Sequence, residues 1–147
     1  RSYQTMRRTL ELERAHHRDV AKTYNTNPSG VAANLSYAHD QVANFISELL
    51  TQNLSPIAVL DTIFNKIAQL QAEGTGTTVL YMFRSLMQHI AREAVRLNYI
   101  VDEDIARKYL GDKGSYPFDD YMKRLYQSDP DMAEENPVDP SRKRRFK

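Results

Sequence analysis

A chain of 147 residues, 41% hydrophobic and 27% charged, fits one small domain with polar ends and is long enough to bury a core without staples. It has no cysteine, which excludes disulfides, thiol nucleophiles and thiolate metal sites. A formal net charge of +1 gives no overall attraction to nucleic acid or to a membrane surface. No apolar run approaches the ~18 residues of a membrane span, and no signal-type stretch opens the chain. The sequence does not set the compartment; the chain is read as intracellular or within a particle and not as membrane-spanning. The chain opens at Arg1 and not at methionine, as a trimmed or processed product would.

Residues 2–24 read as a charged helical arm. Its apolar points are sparse: Tyr3, Met6, Leu10, Val20 and Tyr24. Arg7 and Glu11 form a supporting pair four residues apart, whereas Arg14 and Arg18 form a like-charge pair. A helix with so little apolar surface is weak alone, so it either lies across a partner or forms only part of the time.

Asn25-Thr26-Asn27-Pro28-Ser29-Gly30 is a break in which every residue favours a turn or cap. Helical spacing resumes through Leu35, Ala38, Val42, Phe45, Ile46, Leu49 and Leu50 and should end near Asn53. Ser55-Pro56 then supplies an N-cap followed by proline at the first helical position. Ile57, Leu60, Ile63, Phe64, Ile67 and Leu70 carry the third helix to about Glu73. The short Gly74–Thr78 connection makes the third and fourth helices antiparallel neighbours.

The fourth helix, Val79–Leu97, organises the rest. At about 100° per residue, Val79, Leu80, Phe83, Leu86, Met87, Ile90, Ala91, Ala94 and Leu97 share one half of its wheel. Arg84, Ser85, Gln88, His89, Arg92, Glu93 and Arg96 share the other, with Tyr81, Met82 and Val95. Asp102, with Glu103 and Asp104 in the first turn and Gly111 beyond the end, marks a short fifth helix whose inward residues are Ile105, Tyr109 and Leu110. One more helix is predicted after Pro117, with Phe118, Tyr121, Met122, Leu125 and Tyr126 at helical spacing. From Ser128 acidic, proline-broken sequence runs into the basic cluster Arg142–Lys147.

These elements define an all-α fold. A small bundle of four to five helices occupies 31–127, flanked by the charged helical arm 1–24 and an extended, acidic-then-basic tail at 128–147. There is no β-alternation and no internal repeat.

Few residues invite a chemical reading. A helix-turn-helix at Ser55-Pro56 would present Pro56, Ile57, Ala58, Asp61 and Thr62 to base edges; these offer no arginine, lysine, asparagine or glutamine, and the surrounding segment is acidic. Gly74–Thr78 lacks the lysine of a phosphate-binding loop and follows a helix, so it reads as cap and turn. His16 and His17 diverge on their helix, and none of His16, His17, His39 and His89 has a second histidine four residues away. The histidines therefore read as solvated or capping, and no metal or other cofactor is expected. No serine-based or paired-carboxylate motif marks a catalytic site; a pocket lined by His39, His89 and carboxylates would be needed to reopen an enzyme reading.

Two basic features remain. Tyr81, Arg84, Gln88, Arg92 and Arg96 form a stripe on the fourth helix, suited to a phosphate backbone or an acidic partner. Arg142, Lys143, Arg144, Arg145 and Lys147 form a terminal cluster able to neutralise phosphates or dock on acidic protein. The expectation is a non-enzymatic interaction subunit, a homo- or hetero-oligomer with protein partners, of the kind found in a phage or viral particle or a packaging machine. Nucleic-acid binding through the arginine face and basic tail is the alternative.

Overall fold

Helical periodicity is realised in five helices, with no strand among the described residues: α1 (Tyr3–Asn25), α2 (Gly30–Thr51), α3 (Pro56–Ala72), α4 (Thr77–Arg96) and α5 (Glu103–Leu110). The computed structural model describes residues 3–26 and 30–111. The helix predicted over 118–126, the tail from Ser128 and the basic cluster Arg142–Lys147 lie outside them. By internal packing the chain divides into two units, residues 1–90 and 91–147, with the division inside α4.

In the first unit α1 packs along α2 as an antiparallel hairpin. The partner that so polar a helix requires is thus supplied within the chain. Met6, Leu10 and Ala21 of α1 are buried, and the seam is otherwise polar. From the turn outward, the Ser36 hydroxyl donates to the Ala21 carbonyl at 3.0 Å. His17 then meets His39 at 2.8 Å, and Arg14 donates to the Ser47 hydroxyl at 3.3 Å. Farthest out, Arg7 donates to the Leu50 carbonyl at 3.0 Å. Arg7 therefore reaches across the seam, where the sequence pattern pairs it with Glu11. On α2 the residues that meet α1, Ser36, His39, Ser47 and Leu50, share one stripe with Ala32 and Ala43. Small side chains on that stripe let the two backbones approach.

The centre of this unit is apolar. Val42 and Ile46 of α2, Leu60 and Ile63 of α3, and Phe83, Leu86 and Ile90 of α4 are all buried. Phe45 and Phe83 meet edge to face, with centroids 5.4 Å apart, the arrangement that ring quadrupoles favour. Lys66 places its ammonium 5.8 Å from the Phe45 ring centre.

The helix ends follow local chemistry. Ser55 caps α3 by accepting from the Ala58 N–H at 3.3 Å, with Pro56 at the first helical position. At the far end Gly74 takes φ +76°, with Thr75 N–H to Leu70 O at 3.0 Å and Gly74 N–H to Gln71 O at 3.1 Å. That is the Schellman pattern, and it accounts for the glycine.

In the second unit α4 ends in the same way, but on Asn98, a non-glycine residue at φ 65°. Tyr99 N–H bonds to Ala94 O at 2.8 Å and Asn98 N–H to Val95 O at 3.1 Å. Asp102 caps α5, accepting from the Asp104 and Ile105 N–H groups at 2.8 and 3.3 Å. Glu103 in the first turn pairs with Arg107. Two assignments change here. Val95, grouped with the polar half of its helix, is buried, and Ile105, read as inward, is 45% exposed. The inward residues of α5 are Ala106 and Tyr109.

Candidate functional site

The most organised polar group among the described residues sits where α1, α2 and α4 meet in the first unit. His17 and His39 are both buried, and their Nδ1 atoms lie 2.8 Å apart. At that separation one ring nitrogen donates and the other accepts. The Nε2 of His17 faces the Glu13 carboxylate at 3.5 Å, one turn earlier on α1. The other oxygen of Glu13 faces Nε2 of His89, from α4, also at 3.5 Å. Tyr24 stacks on His39 with centroids 6.2 Å apart and planes 14° apart. His16 stands edge-on to His17 at 5.4 Å.

These distances fix the electrostatics. Glu13 is held below the usual carboxylate range, chiefly by its hydrogen bond with His17; burial opposes this, and the neighbouring histidine charges reinforce it. His39 is pushed below the ordinary histidine value, first by burial and then by the positive charges of His17 and His16, with Asp40 opposing. One arrangement satisfies both shifts. In it His39, its protonation disfavoured, accepts at Nδ1 from the Nδ1–H of His17, and the Nε2 of His17 faces Glu13.

The solvated or capping role expected of the histidines thus fails for His17 and His39. Apolar spacing alone places the faces of α1 and α2 and leaves their histidines unassigned. Met6, Leu10, Glu13, His17, Ala21 and Tyr24 form a single helical stripe, and so do Leu35, His39, Val42, Ile46 and Leu49. Polar members inside a buried stripe were the available signal. Among the described residues no group of three or more His, Cys, Asp or Glu side chains is placed to hold a metal ion. The described hydrogen bonds of the pair run within the pair and to Glu13. The arrangement holds one ring-nitrogen proton between two imidazoles, beside a carboxylate.

The arginine stripe predicted on α4 is divided. Tyr81 is 66% exposed and Arg84 is exposed, whereas Gln88, Arg92 and Arg96 are half-buried. Arg96 donates to the Glu93 carboxylate from Nη2 at 3.1 Å and from Nε at 3.3 Å. The like-charge pair Arg14 and Arg18 lies on the α1–α2 seam, with a shared partner that the sequence does not reveal. Arg14 and Arg18 both donate to the Ser47 hydroxyl, at 3.3 and 3.0 Å.

No helix in the described residues is long and apolar enough to cross a membrane. The fold defines a small all-α bundle protein. Compared with known proteins, the chain matches no family model, no curated protein and no solved structure.

Proposed function

We propose that the chain is a non-enzymatic interaction subunit of a larger assembly, associating with copies of itself through its helix faces. The observation that carries this reading is the outward side of α3. Its exposed residues are Phe64, Asn65, Ala68, Gln69, Gln71 and Ala72, none of them charged. The exposed side of α1, by contrast, carries Arg8, Glu11, Arg18, Asp19 and Lys22. Interface cores are depleted in charge and enriched in aromatic residues, whereas a face that meets only solvent usually carries charges. The exposed Tyr81, an amphipathic ring suited to a half-wet contact, adds to it. A phage or viral particle, or a packaging machine, is the setting that a small helical core with charged ends suits.

The test is the oligomeric state against concentration, by sedimentation or light scattering, of the wild-type chain and of Ala68→Glu. Ala68 is exposed on α3, so the variant keeps its helical circular dichroism. Concentration-dependent association that Ala68→Glu abolishes is the expected result. A wild-type chain that stays monomeric to about 100 µM, with or without residues 128–147, overturns it.

The second reading, nucleic-acid binding, rests on the exposed Tyr81 and Arg84 with the basic cluster Arg142–Lys147. It requires affinity that falls steeply with salt and weakens on Arg84→Gln. Absence of DNA or RNA binding at low salt removes it.

A further inference from the structure

We propose that the His17–His39 contact is an acid-released latch, whose protonation frees α1 from α2 while the rest of the first unit stays folded. The contact tolerates one proton and not two. With a single Nδ1 proton between them the rings are bonded at 2.8 Å. A second proton, on the accepting Nδ1, removes the acceptor and sets two N–H groups and two positive rings against each other inside a buried seam.

The charges around the pair make the second proton costly. From α1 come Glu13, His16 and, farther along the seam, Arg14 and Arg18; from α2 comes Asp40; from α4 comes His89. None of the described bonds of the cluster comes from α3. Glu13 is one carboxylate shared between two histidines, so it cannot neutralise a fully protonated cluster.

Such a loss falls on the seam that ties α1 to α2. Met6 and Leu10 are the only large apolar side chains that α1 buries. The rest of its hold on α2 is polar, as in the hydrogen bonds of Ser36 to Ala21 and of Arg7 to Leu50. α1 lies along α2 over its length, but much of what joins them is polar, whereas α2, α3 and α4 bury Val42, Ile46, Leu60, Ile63, Phe83 and Leu86; loss of the polar seam contacts is therefore expected to release α1 first.

The test is amide hydrogen exchange of the full chain at pH 7.5 and at about pH 5, corrected for the intrinsic rate. Protection in α1 is expected to fall about tenfold or more, while α3 keeps its protection. His39→Asn keeps an acceptor for the His17 proton and cannot itself be protonated, so its α1 protection stays within about twofold over the same range. Glu13→Gln removes the shared carboxylate and moves the opening midpoint to higher pH. Unchanged α1 protection in the wild type, a loss spread equally over α1, α2 and α3, or a loss as large in His39→Asn overturns the proposal. So does a Glu13→Gln midpoint at or below the wild-type value, which decides the matter even if the His39 variant does not fold.

Discussion

His17 and His39, 22 residues apart in sequence, meet Nδ1 to Nδ1 at 2.8 Å in the buried seam between α1 and α2. The contact makes the stability of the fold depend on pH in a direction that can be worked out. His39 is depressed in the folded chain, so the unfolded chain binds more protons as pH falls through the ordinary histidine range near about 6.5. Stability is full above that range and is lost as pH falls through it. Glu13 is also depressed. Its stabilising contribution is present above the usual carboxylate range and is lost at lower pH, as the folded carboxylate takes up its proton. Urea midpoints should therefore fall in two steps on acidification, and His39→Asn should flatten only the first. A midpoint that rises between pH 7 and pH 5.5 contradicts the assignment.

Ser36→Ala removes the buried hydroxyl that donates to the Ala21 carbonyl at 3.0 Å. The expected cost is about 1 kcal/mol, seen as a lowered urea midpoint with an unchanged slope. The same substitution at the half-exposed Ser47, whose hydroxyl receives the two arginines, should cost less than about 0.5 kcal/mol, because solvent screens that contact.

Asn98 holds φ 65° at the end of α4, where the Cβ of most residues is strained. Asn98→Gly should leave thermal stability unchanged or raise it by up to about 1 kcal/mol, and Asn98→Val should lower it by more than that. Equal melting temperatures for the two variants would mean that this turn bears no conformational constraint.

Ser55→Ala deletes the side-chain acceptor for the Ala58 N–H. Loss of such a cap costs about 1 kcal/mol, and Ser55→Asp should restore it. Ile46→Ala, at a fully buried position of α2, should cost several-fold more, about 2–5 kcal/mol. The exposed Val31→Ser should cost almost nothing. The ranking of these three by chemical denaturation tests where the core lies.

The sequence by itself determined the helices and most of their ends. Ser55-Pro56, Gly74, Asp102 and Gly111 act through bonds to residues a few positions away, so their roles are written locally. It determined the apolar half of α4 as well, because a period of 3.6 residues needs only the order of side chains. What tertiary structure alone decided was the fate of the polar residues. Glu13, His17 and His39 sit on buried stripes, but burial is worth having for an imidazole only when another group completes its hydrogen bonds. That partner stands on a different helix, and the spacing along one helix carries no record of it. The same holds for Arg7, which has Glu11 in reach along α1 and bonds instead to Leu50 across the seam. Periodicity says which residues share a face; only the packed hairpin says what that face meets.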